Sequence, residues 1–215
     1  MTRLKRPGRR YHRHIPGLTL TDRMRIYVMA DKALPCPQVL RQLMSYNPQT
    51  GKLFWKERGA EWFTDGTYHT AEVQAQIWNT KYAGKEAFTP LNSCRYHTGA
   101  VLGKILLAHR IAWAITHGRW PNHFLDHING IRSDNRLCNL REATNAENLR
   151  NRGVQKDSES GIKGVRFDRR YGRWQARITV ERRQKHLGYY DTPEAAAAAY
   201  AEAARRHHGE FARTA

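Results

Sequence analysis

Asp126 and His127 are adjacent, and Asn139 and Asn148 follow His127 by twelve and twenty-one residues. A carboxylate, an imidazole and carboxamides are side chains that suit phosphodiester hydrolysis. That reaction needs an activated water and charge compensation on the phosphorane and the leaving oxygen. A near-neutral imidazole serves as general base. A hard divalent ion held by one carboxylate and one amide oxygen, with water completing its shell, supplies the compensation. Each group alone has a plainer reading, since an Asp-His pair is usually structural and Asn-rich loops are often turn chemistry. The combination, inside a strongly basic chain, is what points to catalysis.

The surrounding residues must bring these groups together. Phe124-Leu125-Asp126-His127 reads as a strand and Asn129-Gly130 as a tight turn. Leu140 to Ala143 can return as a second strand. Thr144 with Glu147 three residues on forms a capping box, so a helix is predicted there with Asn148 in its first turns. Upstream, Asn47-Pro48-Gln49-Thr50-Gly51 is a turn leading into the strand-like Lys52-Leu53-Phe54-Trp55. Helical patterns occur at 22–33 and 37–45, and residues 95–107 suggest a hairpin bending at Gly103-Lys104. A helix then runs from Ala108 to His117 and stops at Gly118. Within it His109 and Arg110 serve either helix packing or phosphate contact. Residues 59–90 carry no periodicity that fixes an element. Trp55, Trp113 and Trp120 read as core or edge aromatics, and His97, His117, His123, His207 and His208 as surface or interface residues.

Across 47–152 the sequence resembles the HNH nuclease family, particularly the homing endonucleases of phages and introns. The resemblance rests on Asp126-His127, Asn139, Asn148 and the upstream His109-Arg110-Ile111-Ala112-Trp113 helix. It implies a ββα-metal fold with His127 as general base. It further implies that Asp126 and Asn148 bind one ion and that Asn139 braces the loop orienting the histidine. Asn148 stands where the motif's third letter is often His, which favours Mg²⁺ or Mn²⁺ over a soft-metal site, with no zinc expected. One such site cuts one strand, so a double-strand break needs a second site or a dimer.

Beyond residue 160 a different pattern begins. Three strand-like runs (162–168, 173–180 and 184–190) precede a helix over 193–208, with Thr192 as N-cap, Pro193 at N1 and Gly209 as its stop. Strand alternation puts Val165, Phe167, Trp174, Ala176, Ile178, Val180, Leu187 and Tyr189 on one face, and Arg166, Arg173, Gln175, Arg177, Thr179 and His186 on the other. An alanine-rich helix can lie close against the apolar face, leaving an arginine-studded sheet toward solvent. Arg and Gln on a twisted sheet can read guanine and adenine in a major groove. Gly161-Ile162-Lys163-Gly164-Val165-Arg166, Gly172-Arg173-Trp174-Gln175-Ala176-Arg177-Ile178 and Leu187-Gly188-Tyr189-Tyr190-Asp191-Thr192 resemble the Apetala-type DNA-binding domain. That resemblance implies DNA contacts by Arg166, Arg170, Tyr171, Arg173, Gln175, Arg177, Arg183 and His186. Tyr171 and His186 stand where plant domains often carry tryptophan, so sequence preference does not transfer.

Composition agrees with a nucleic-acid partner. Of 215 residues, 37 are Lys or Arg and 19 are Asp or Glu, a net charge of +18. Each phosphate neutralised by such a chain releases a condensed counterion. The expected fold class is α+β, a ββα-metal nuclease module plus a small three-stranded antiparallel sheet packed on one helix. The expected domains are a basic flexible arm at 1–18, an HNH nuclease domain with a helical and hairpin extension at 19–150, a linker at 151–160 and an Apetala-type domain at 161–215. The expected partner is double-stranded DNA, with no membrane and no protein partner implied, and monomer or dimer left open. A basic N-terminus with no apolar run after Arg13 gives no secretion signal, so a cytoplasmic location is expected. Cys36, Cys94 and Cys138, lacking CxxC spacing, read as reduced, buried thiols. A non-catalytic DNA-binding regulator on the same scaffold would be marked by loss of Asp126, His127 or Asn148, and all three are present.

Overall fold

The computed structural model describes residues 34–154 and 158–214. The basic arm at 1–18 and the helical pattern at 22–33 lie outside the described residues. The chain is mixed α and β, with small antiparallel sheets. Its described residues divide into two compact units, one of residues 34–47, 52–92 and 97–119, the other of residues 48–51, 93–96, 120–154 and 158–214. Residues 151–154 and 158–160, expected as linker, fall inside the second unit.

In the first unit, helix α1 (Pro37–Leu43) has Pro at its first position, where a missing N–H costs nothing. It ends two residues earlier than the 37–45 pattern, because Met44 opens strand β1 (Met44–Asn47). This pairs with β2 (Lys52–Trp55), which pairs in turn with β3 (Glu86–Ala87). Helix α2 (Ala71–Tyr82) was not announced by any pattern, for a physical reason. Only Ala75 of its residues is buried, so no apolar stripe repeats along it, and Thr70 Oγ1 caps it by accepting from the Val73 N–H. Strands β4 (Thr98–Val101) and β5 (Lys104–Leu107) form the expected hairpin. Its bend falls at Leu102-Gly103, both at positive φ, one residue before the expected Gly103-Lys104. Helix α3 (Ala108–His117) buries Ala108, His109, Ile111, Ala112, Trp113 and Ala114, and packs with Leu40, Leu43, Met44 and Leu53 among the core residues.

In the second unit, β6 (Phe124–His127) and β7 (Leu140–Ala143) form an antiparallel pair, followed by helix α4 (Asn145–Arg150). Thr144 and Glu147 make the full capping box at its start. A second sheet in the order β10-β9-β8 comprises β8 (Val165–Asp168), β9 (Arg173–Val180) and β10 (Arg183–Tyr190). Residues 162–164, expected to open the first of these strands, form a turn before it, with Gly164 at φ +72°. Helix α5 (Pro193–His208) lies on this sheet, and Ala196, Tyr200 and Ala204 pack with Val165, Ala176 and Ile178 into one buried cluster. The approach is close enough that a side chain at Gly164 would run into the Tyr200 ring and the Arg177 carbonyl.

Three expectations are corrected here. A bulge falls between His186 and Gly188, so Tyr189 pairs with Gln175 on the arginine face while Tyr190 takes the apolar side. His208, expected as a surface or interface residue, is buried under its own domain, with Nε2 3.1 Å from the Thr179 carbonyl oxygen. Cys94 and Cys138 are exposed rather than buried, and Cys36 is half-buried; all three are free. Among the described residues no helix is long and apolar enough to cross a membrane.

Candidate active site and basic sheet face

The β6–β7 ladder sets Asp126 opposite Arg141 and His127 opposite Leu140. Both Asp126 and His127 are buried at the end of β6, although a loop tip would have left them exposed. His127 turns Nε2 toward Oδ1 of Asn135 at 3.2 Å, and its ring lies against Tyr96 with centroids 5.8 Å apart. Burial pushes the imidazole below its ordinary value, although Asn135, Asp126 and Asp134 pull the other way and Arg132 adds to the lowering. The ring is therefore neutral at pH 7, the form able to accept a proton.

The loop between the two strands is held by carboxamides. Asn139 Oδ1 accepts from the Asn129 N–H at 2.9 Å, and its Nδ2 donates to the Asp134 carbonyl at 2.8 Å. The Asn139 carbonyl accepts the Ile128 N–H, so this one residue ties the loop at three points. Asp134 is gripped by Arg136 through Nε at 2.8 Å and Nη2 at 2.6 Å, which lowers its carboxyl to about 2. The loop also rests on the Pro48–Gly51 turn, where the Pro48 carbonyl accepts the Leu137 N–H at 3.1 Å. Gly51, at φ +75°, sits so close that a Cβ would fall 2.6 Å from backbone atoms of Asn135 and Arg136.

Asp126 is the most heavily bonded member. Its Oδ2 accepts from Arg141 Nε and Nη2 at 2.9 and 2.8 Å, and Asn151 Nδ2 lies 3.0 Å from each carboxylate oxygen. The same Nδ2 reaches the His127 carbonyl at 2.9 Å. Asn148 lies half-buried on α4, the helix that packs beside β6 and β7. Arg132, at the loop's outer side, stacks over Tyr96 at 5.3 Å and donates to the Cys94 carbonyl.

Residues 106–150 match the family described as HNH endonuclease. Protein 3.8 of Escherichia phage T7 is 33% identical over 106 residues, which are 49% of this chain and 87% of that protein. The chain belongs to the family of that phage protein and carries an HNH endonuclease domain. No solved structure matches.

Within the HNH domain the hairpin joins Asp126, His127 and Asn139 in one hydrogen-bonded neighbourhood, and Asn148 lies half-buried on α4, which packs against the same two strands. Sequence reasoning passed over Asn135, Arg141 and Asn151. Asn135 lay in the motif already read as loop. Arg141 becomes visible only once the strand register sets it against Asp126. Asn151 looked like linker, yet it is the buried C-cap of α4. Upstream, His109 is buried on the packed side of α3 and Arg110 is half-buried. Among the described residues no group of three or more His, Cys, Asp or Glu could hold a metal ion.

On the C-terminal sheet, Arg166 pairs with Gln175 and Arg177 with His186, and Arg173 lies two residues from Gln175 on the same face. Their side chains interlock, with Arg166 Nε donating to Gln175 Oε1 at 2.8 Å and Gln175 Nε2 3.2 Å from His186 Nδ1. Tyr189 joins this face. Its hydroxyl accepts from Gln175 and donates to Asp168, and its ring lies 4.9 Å from Tyr171 and 4.8 Å from His186. Arg170 and Tyr171 occupy the β8–β9 turn, with the Arg170 guanidinium 5.5 Å from the Tyr171 ring. Arg183 pairs with Val180 at the far hairpin end and shares the other face's alternation.

Proposed function

We propose that this protein is a divalent-metal-dependent DNA endonuclease of the homing type, targeted by its C-terminal sheet. The observation that carries the reading is a buried, neutral His127 beside Asp126 on the strand of an HNH hairpin. His127 takes the proton of an attacking water. The water oxygen then bonds to phosphorus, and the bond from phosphorus to the leaving sugar oxygen breaks. Asn135 fixes the imidazole and Asn139 holds the loop on which Asn135 sits.

The donors fit a hard cation. Asp126 Oδ1 carries a single described hydrogen bond, against three on Oδ2, so it retains an oxygen lone pair for a ligand role. Asn148 supplies a neutral amide oxygen. Two oxygen donors leave most of the coordination shell to water and substrate, the habit of Mg²⁺ and Mn²⁺. Such an ion, held by Asp126 and Asn148, would supply charge compensation at the phosphate.

Burial has a second consequence. With His127 only 4% exposed, a phosphate reaches it once the loop or the Tyr96 ring gives way, so substrate-induced opening belongs to the mechanism. Arg132, stacked on the same Tyr96 ring, is the cation that would meet that phosphate. The sheet face of Arg166, Arg173, Gln175, Arg177 and His186, with Arg170 and Tyr171 at its turn, acts as an Apetala-type DNA reader. Run-off sequencing of DNA cut by the wild type and by His127→Ala tests the whole reading. Discrete cut sites lost in the variant support it; identical patterns would sink it.

A further inference from the structure

The carboxylate of Asp126 is tied to the far end of the chain. Arg141 places Nε and Nη2 on its Oδ2, and the pair is nearly out of solvent, with side-chain exposures of 13% and 6% for Arg141 and Asp126. The remaining terminal nitrogen, Nη1, donates to the Glu210 carbonyl at 2.7 Å. The face of the same guanidinium lies 3.7 Å from the centroid of the buried Phe211 ring. Glu210 and Phe211 belong to the short 3-10 turn Gly209–Phe211 that follows α5. Just beyond it, Arg213 packs over Gly130 and Gly153, beside the loop that carries Asn135.

We propose that the turn Gly209–Phe211 positions the metal-binding carboxylate through Arg141, which makes the C-terminal segment a structural part of the cutting site as well as the end of a DNA reader. This rests on the assignment of Asp126 as an ion ligand. A guanidinium is a planar fork, and three constraints fix its plane: two donors on Oδ2, one on the Glu210 carbonyl, and the ring beneath. With Oδ2 occupied by three donors, the carboxylate cannot rotate without breaking them, and Oδ1 is the oxygen presented to a cation. Partners that orient a ligating carboxylate this way commonly change metal affinity by about 10–100-fold when removed. Phe211 and Glu210 are positioning residues, because they touch neither ion nor substrate.

The test is Mn²⁺ binding by the full chain without DNA, measured by titration calorimetry alongside thermal melting. Asp126→Ala should abolish the binding heat. Phe211→Ala and Arg141→Gln should each weaken Mn²⁺ about tenfold or more while melting stays cooperative above the titration temperature. Phe211→Tyr, which keeps the ring, should restore wild-type affinity. Wild-type or tighter Mn²⁺ binding by Phe211→Ala overturns the proposal, and tighter binding by Arg141→Gln overturns it through charge repulsion. If Phe211→Ala fails to fold, Arg141→Lys decides. It keeps the charge without the fork and must still lose affinity, and unchanged affinity contradicts the positioning role. A wild type that takes up no Mn²⁺ removes the metal assignment itself, whereas loss in Asp126→Ala alone removes only the coupling.

Discussion

His127 Nε2 lies 3.2 Å from Asn135 Oδ1, and both side chains are buried. This contact sets the imidazole plane, so Asn135 should matter to the chemical step more than to DNA affinity. Asn135→Ala should lower the cutting rate about 10–100-fold, in the range of other orienting partners. Filter binding in Ca²⁺ should show nearly unchanged affinity. A variant that cuts at the wild-type rate would leave Asn135 without a role.

Gly51 makes a sharper test, because it contributes no functional group. At φ +75°, with Asn135 and Arg136 backbone atoms 2.6 Å from where a Cβ would stand, an alanine must push the loop aside. Gly51→Ala should therefore slow cutting through displaced Asn135 and lower the melting temperature by a few degrees, in keeping with a strain of about 1–3 kcal/mol. A melt and a single-turnover rate on the same preparation check both halves.

The sheet face should behave as a phosphate and base reader. Among the described residues the Arg177 guanidinium makes one long hydrogen bond, 3.3 Å to Gln184, which leaves donors for another partner. Arg177→Ala should reduce the slope of log K against log salt by about one if it meets a phosphate. If it reads a base instead, affinity should fall mainly on the preferred sequence. Titrations at several salt concentrations, on specific and random duplexes, separate these outcomes. No effect on either would remove Arg177 from the interface.

Lys163 links stability to pH. Its Nζ donates to the Arg150 carbonyl at 2.6 Å, and burial, aided by nearby Arg213, brings its pKa down to about 8 from 10.5. Between these values the unfolded chain holds more protons than the folded one, so stability should rise with pH across that window and stay flat just below it. Lys163→Met removes the linkage. The melting temperature of the wild type minus that of the variant should climb between pH 8 and about 10. A difference that stays constant or falls would contradict it.

Much of this arrangement was legible in the chain because local signals were strong. Thr144 and Glu147 announced α4, and Thr192-Pro193 with Gly209 bracketed α5 to the residue. What stayed hidden was non-local. The long loop from 128 to 139 fixes no strand register, so nothing in the sequence set Arg141 across from Asp126. A single extra residue at Leu187 moved Tyr189 to the arginine face, since alternation has no means of marking a bulge. Asn151 lay among small polar residues that resemble linker, although its amide is buried against the carboxylate. Equally non-local is the hold on Arg141 by Glu210 and Phe211, which no local pattern ties to the β6–β7 hairpin.

The most direct measurement is nicking of supercoiled plasmid in Mg²⁺ or Mn²⁺ by the wild type and by His127→Ala, with DNA binding followed in parallel. The wild type should relax the plasmid. The variant should bind equally well and cut about 10²–10⁴-fold more slowly, the usual share of a general base. Equal cutting by both proteins would contradict the assignment of His127 as the group that activates water.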